Sequence, residues 1–322
     1  MFPRASTSWA FFLTLIFSYG YRKLTRKHRR TSVIPPAGER VLILGASSGI
    51  GRDIALRYTS RGARVCLVGR RKDRLEAVAD ECKAVGSTGR AVLAITSDFA
   101  NVKDMVHARS VLEKEWEGID TIIVAAGVSA LRPILEVAQV TTPESDASEQ
   151  GIQSAVNAAE AATKGNYIGP MIAAIAFIPM LKRTSKSPSI LLVSSLGAVI
   201  PAPTRSIYGS TKSASLLLYQ ALAIEHPSIN FSFVLPSTVQ GDFRASAVDV
   251  PPLSSTSEAR NPTYNTSGLK VEYVAQRCIQ AVDQAQKILF LPEMMVLGHL
   301  LYWLWPSFIE KRAMKKYGFV AR

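Results

Sequence analysis

The sequence predicts an α/β protein: a doubly wound parallel sheet in a single domain, with an extension at each end. Three observations carry that expectation. Short apolar runs alternate with longer helical patterns along most of the chain, as in sheets whose strands are buried on both faces. The first apolar run leads into three closely spaced glycines and then a helical pattern. The 322 residues, 48% of them apolar, suffice for one large core with terminal additions.

Residues 35–38, Pro-Pro-Ala-Gly, read as a linker, which sets the domain at 38–291, preceded by 1–37 and followed by 292–322. Strands are expected at 41–44, 63–68, 90–95, 120–124, 190–193, 229–235 and 287–291, and helices at 52–60, 72–85 and 270–284. The first turn reads Gly45-Ala46-Ser47-Ser48-Gly49-Ile50-Gly51. Glycines there let backbone N–H groups approach a pyrophosphate at the positive end of the next helix. The strand–turn–helix context makes the signal stronger than the glycines alone. The second strand ends in Gly69-Arg70-Arg71, where a free ribose 2′-hydroxyl would call for an acid. Arg70 and Arg71 suit a 2′-phosphate instead, so NADP(H) is expected over NAD(H). Asp98 and Phe99 follow the third strand, where an acid can accept from an adenine amino group, and Ala125-Ala126-Gly127 follows the fourth.

The net charge of +13 is concentrated at the ends: residues 1–37 carry +7 and residues 306–322 carry +4, leaving +2 for the middle. A basic face spread over the fold would suggest nucleic acid; basic clusters beside apolar segments suggest a membrane surface. Residues 8–21 are uncharged and aromatic-rich, and they precede the basic cluster. That order argues for an uncleaved anchor with a cytosolic basic flank, not a secretory signal. The alternative is an amphipathic helix packed on the domain. Residues 288–309 are also apolar, with Tyr302, Trp303 and Trp305 close together, and read either as a monotopic patch or as a helix covering the core. Cys66, Cys82 and Cys278 are widely spaced, so neither a metal site nor a disulfide framework is indicated. The sequons at Asn230 and Asn265 would matter only in a lumenal domain.

Residues 189–214 hold the chemistry. An apolar run ends in Ser194-Ser195, Pro201 and Pro203 break the chain, and Tyr208 then stands four residues before Lys212. On a helix those two share a face, and an ammonium near a phenol favours the phenolate. A serine, tyrosine and lysine converging at a strand end form a proton-transfer set; the plain alternative is a core tyrosine beside a snorkelling lysine. Adjacent strand residues face opposite ways, so only one of Ser194 and Ser195 can join the set.

Together, Gly45-x-x-x-Gly49-x-Gly51, Ala125-Ala126-Gly127, Ser195 and Tyr208-x-x-x-Lys212 resemble the short-chain dehydrogenase/reductase family over residues 40–290. The terminal extensions resemble its membrane-bound members, the 11β-hydroxysteroid dehydrogenase and dehydrogenase/reductase 7 groups. The resemblance implies a Rossmann-type sheet with Tyr208 as general acid/base. Lys212 would lower the tyrosine's pKa and hold a ribose, and Ser195 would bond the substrate oxygen. Asn166 would be a fourth member of the set, its main-chain carbonyl freed by Pro170 to hold a relay water. The alternative is that Pro170 starts a helix which Asn166 caps. Pro236, Ser237 and Val239 resemble the family's loop against the nicotinamide, and Ser47, Ser48, Ile50, Ala126 and Gly127 its cofactor cleft. Leu44, Val124-Ala125 and Ser237 depart from the usual residues. Residues 128–164 are longer than usual, with 141–150 expected as an exposed insertion, and 244–268 read as a lid or surface loop.

The expected activity is an NADP(H)-dependent interconversion of a carbonyl and a secondary alcohol on a lipophilic small molecule. The expected location is the endoplasmic reticulum or lipid-droplet surface, with the domain cytosolic. No nucleic acid or metal is expected, and a homodimer is allowed. The alternatives are a 3-ketosphinganine-type reductase and a non-catalytic nucleotide-binding protein tethered to a membrane.

Overall fold

Seven parallel strands form one sheet in the order β3-β2-β1-β4-β5-β6-β7. They are β1 Arg40–Leu44, β2 Arg64–Gly69, β3 Val92–Thr96, β4 Thr121–Val124, β5 Ser189–Val193, β6 Asn230–Pro236 and β7 Ile288–Leu291. This computed structural model describes residues 30–86, 92–142, 144–250 and 265–320. The expected anchor at 8–21 and most of the expected lid at 244–268 therefore lie outside the described residues.

The sheet is doubly wound because β1 sends alternate residues to opposite faces. Val41 and Ile43 join a core with Ile54, Leu75, Val78, Val274 and Cys278. These come from helices α1 Gly49–Ser60, α2 Lys72–Val85 and α8 Val271–Asp283. Leu42 and Leu44 join the other core with Met105, Leu112, Phe177, Leu216 and Tyr219. That face is covered by helices α3 Val102–Trp116, α6 Gly169–Thr184 and α7 Ser206–Glu225. Helix α3 was not expected at its place, although Asn101 signals its start: its side chain accepts from the N–H groups of Lys103 and Asp104. The insertion contains two helices, α4 Ile134–Val137 and α5 Glu149–Thr163, and the polar stretch between them is exposed as expected.

The end of the sheet away from the glycine turn is closed by buried charge. Arg30 is only 2% exposed and donates to Glu39, Thr121 Oγ1 and the carbonyls of Asp120 and Ser187. Arg61 bonds both Glu39 and Asp283. Arg30, counted by sequence in the basic flank, thus belongs to the folded domain. The three cysteines are buried and free. Asn265 is also buried and its amide donates to the Val239 and Ser267 carbonyls, so its sequon is closed in the fold.

After β7 come helices α9 Met295–Leu304 and α10 Pro306–Tyr317, neither of which buries a residue. Leu304 is 82% exposed, Trp303 75% and Met294 70%. Among the described residues, no helix is long and apolar enough to cross a membrane.

Candidate active site

The sheet order reverses between β1 and β4, and a cavity of about 710 Å³ lies at that end. The wall formed by the first turn is shaped by glycines. Gly45 has φ +90°, and a Cβ there would lie 2.6 Å from the Ala126 backbone nitrogen. Gly51 sits so close to Gly45 that a Cβ would overlap the Gly45 carbonyl oxygen. Ser47, Ser48, Gly49 and Ile50 complete the turn on the cavity wall, facing Ala126 and Gly127. Arg71 Nη2 donates to Ser47 Oγ at 3.0 Å and to Ser48 Oγ at 2.7 Å, which ties the cation to the turn. Arg70 is exposed beside it on the same wall. Asp98 lines the cavity and uses Oδ1 to accept from the Ala100 N–H. Phe99 also lines it, but the residue is only 8% exposed and its ring is seated against Gly169, so its side chain mainly serves the core. Pro236, at the end of β6, and Val239, bridged to Leu269, form the opposite wall.

Tyr208 and Lys212 lie one turn apart on α7, as their spacing requires. Lys212 is buried and its Nζ donates to the Val193 carbonyl at 3.1 Å. Burial lowers its pKa from 10.5 to about 8. Burial raises the Tyr208 phenol above its ordinary value; the hydrogen bond with Ser195 and the charge of Arg205 pull it back. Lys212 is bonded to the Val193 carbonyl, and Arg205 is a further cation beside Tyr208, its Cζ 5.9 Å from the ring centre. Ser195 starts the short turn Leu196–Ala198, and its Oγ accepts from the Gly197 N–H. Ser194 is 3% exposed, and its Oγ has no hydrogen-bond partner among the described residues.

Asn166 lies in a helix that does not start at Pro170. Helix α5 passes through a π turn, Lys164–Ile168, directly into α6. Proline at 170 cannot donate to the Asn166 carbonyl, and the wider turn, with Gly169 N–H bonded to Lys164 O, accommodates it. The capping alternative is thus not what is seen. The Asn166 side chain is fully engaged. Its Oδ1 accepts from the Val128 N–H, and its Nδ2 donates to the Val128 carbonyl and to Thr211 Oγ1. It locks the β4 turn onto α7, beside Gly127, where a Cβ would come 3.3 Å from Lys212 Nζ.

Four residues of this site escaped the sequence reading: Gly169, Thr211, Arg205 and Tyr317. Thr211 lies within the Tyr208-x-x-x-Lys212 motif, Arg205 three residues before it and Gly169 next to Pro170, whereas Tyr317 stands near no recognised motif. Tyr317 ends α10 and comes back to the cavity from the far end of the chain, with Arg205 Cζ 5.9 Å from its ring centre.

The profile for short chain dehydrogenases matches residues 39–250. The chain belongs to the short-chain dehydrogenase family of oxidoreductases. Among curated relatives, 11-beta-hydroxysteroid dehydrogenase-like 4A of Arabidopsis thaliana is 31% identical over 63% of this chain and 62% of its own length. The 11-beta-hydroxysteroid dehydrogenase-like 2 protein of the same plant is 30% identical over 72% of this chain and 69% of its own length. The chain thus spans about three-fifths of the length of the first of these relatives. A short-chain dehydrogenase from Sphingobium yanoikuyae in complex with NADPH aligns with a TM-score of 0.60 at 25% identity, covering 79% of this chain and 88% of that one. A family member from Burkholderia phymatum in complex with NAD aligns with a TM-score of 0.70 at 18% identity, over 85% of this chain and 96% of that one, and shares the fold.

Proposed function

We propose that the protein is an NADP(H)-dependent reductase or dehydrogenase that interconverts a carbonyl and a secondary alcohol on a lipophilic substrate. The observation that carries this reading is the convergence of Ser195, Tyr208 and Lys212 on the same cavity as the glycine turn. The residues present fit a nicotinamide dinucleotide. The Gly45–Gly51 turn leaves backbone room that a Cβ would fill, and Arg70 and Arg71 supply cations at the β2 end, where a 2′-phosphate would lie. When bound, that cofactor supplies or accepts the hydride.

The chain's own residues handle the oxygen and its proton. As a carbonyl carbon is reduced, negative charge develops on its oxygen. Ser195 Oγ donates a hydrogen bond to that oxygen, and Tyr208 delivers its phenolic proton to it. The raised phenol pKa keeps that proton in place at neutral pH. In the oxidative direction, the phenolate takes the alcohol proton. Lys212, held by the Val193 carbonyl on the same cavity, would hold the ribose of that cofactor. Asn166 is a positioning residue, since its side chain has no free group to move a proton.

The exposed apolar side chains of α9, with basic residues Lys311, Arg312, Lys315 and Lys316 following on α10, support attachment to a membrane surface. That setting favours lipophilic ketones. The test is NADPH oxidation with a panel of such ketones, comparing wild type with Tyr208→Phe. Loss of the phenolic proton donor should cost at least about a thousandfold in kcat; equal rates would sink the mechanism. The same assay run with NADH checks the cofactor, and equal kcat/KM for both would remove the NADP(H) preference.

A further inference from the structure

We infer that the substrate carries an anionic group, a carboxylate or a phosphate, received by Arg205 and Lys316 beside Tyr208; this rests on the oxidoreductase reading of the same cavity. Arg205 is held in place from one side only. Its Nη1 donates to the Ala130 carbonyl at 2.8 Å and to Ser129 Oγ at 3.3 Å. Nε and Nη2 have no partner among the described residues, so part of the guanidinium fork is left to a ligand. Its Cζ lies 5.9 Å from the ring centres of both Tyr208 and Tyr317. Lys316 Nζ stands 5.9 Å from that same Tyr317 ring. Two cations from distant parts of the chain are thus gathered around one aromatic ring at the cavity.

The charge of the wall agrees. Among the described residues lining the cavity away from the glycine turn and the end of β2, the cations are Arg74, Lys164, Arg205, Lys212, Arg244 and Lys316. The acids there are Asp98, which accepts from the Ala100 N–H, and Asp242, which is already paired with Arg74. The most enclosed arginines of this fold have carboxylate partners: Arg30 and Arg61 on Glu39, and Arg40 on Asp120. Arg205 has none among the described residues. A neutral ligand closing this cavity would strip water from an unpaired guanidinium, which is costly; an anion would meet it with charge-assisted hydrogen bonds. Arg205 is the N-cap of α7, three residues before Tyr208, and its Cζ lies 5.9 Å from the Tyr208 ring centre, so the anionic group belongs near the reacting carbonyl.

The experiment uses the full chain with NADPH and three ketones of one skeleton: 4-oxododecanoate, its methyl ester and 4-oxododecyl phosphate. The readout is the ratio of kcat/KM for each anion to that for the ester, so a general loss of folding or of turnover cancels. One charge-assisted pair predicts a preference of about 30-fold for at least one anion. The carboxylate and phosphate arms tell which group is recognised. Arg205→Gln should reduce that ratio to near one, Lys316→Gln should lower it several-fold, and Arg205→Lys should restore part of it. A wild-type ratio near one for both anions, or a ratio untouched by Arg205→Gln, overturns the inference. If none of the ketones is reduced, it is the reductase reading that fails. Calorimetric titration of the same protein with 4-oxododecanoate and its ester then decides the anion site alone. Selective binding of the acid, abolished in Arg205→Gln, supports the site; equal binding refutes it.

Discussion

Lys212 should destabilise the fold that holds it, and Lys212→Met makes the point measurable. In the cofactor-free protein this lysine is buried, with one hydrogen bond to the Val193 carbonyl, and its pKa falls from 10.5 to about 8. It therefore holds its proton more weakly in the fold than in the unfolded chain, by about 3 kcal/mol. Methionine has similar length and no charge. Removing the lysine relieves that cost but loses the hydrogen bond, worth about 1 kcal/mol. The variant should be more stable than wild type at pH 7 by about 2 kcal/mol, or about 3 °C in Tm. The sign follows from linkage. The folded pKa lies below the unfolded one, so between pH 8 and 10.5 the unfolded chain binds more protons, and wild-type stability rises with pH across that window. The variant's advantage is full below pH 8, shrinks through the window and is gone above it. Thermal unfolding of both proteins from pH 6 to 11 measures this. A variant less stable at pH 7, or a difference independent of pH, would refute the reasoning. The variant should also lose catalytic turnover, which separates the residue's use from its cost.

Two further changes probe the scaffold. Gly45→Ala places a Cβ 2.6 Å from the Ala126 nitrogen at a φ of +90°, so affinity for NADPH, read by fluorescence titration, should drop at least tenfold, with about 2 kcal/mol of stability lost; wild-type affinity would contradict the close-approach argument. Glu39→Gln leaves Arg30 buried without its charge partner, and denaturant unfolding should show about 3 kcal/mol of destabilisation with little direct effect on the distant site.

Much of the fold was legible because its signals are local. Apolar runs placed the strands to within a residue or two, and the glycine turn announced the first strand–helix unit. The cofactor cleft and the Tyr208–Lys212 pair were legible for the same reason, since residues four apart on a helix share a face whatever surrounds them. Helix α3 was missed although Asn101 caps it, because its weakly amphipathic sequence sits between two stronger strand signals. The hydrogen bond from Lys212 to the Val193 carbonyl was not legible, because spacing shows a shared face but not which strand group the ammonium meets. The role of Asn166 needed the π turn and Thr211, neither of which spacing reveals.

The sequence by itself determined the alternating sheet, the glycine turn and the shared face of Tyr208 and Lys212, since each is set by short-range geometry within one strand, turn or helix. Only the tertiary structure decided the rest. It buried Arg30 with Glu39 at the closed end of the sheet and fastened Asn166 across two elements. It also brought Tyr317 and Lys316 from the last helix to Arg205. Those contacts join residues far apart in the chain, and no local pattern encodes a distance that only the packed sheet and its helices bring about.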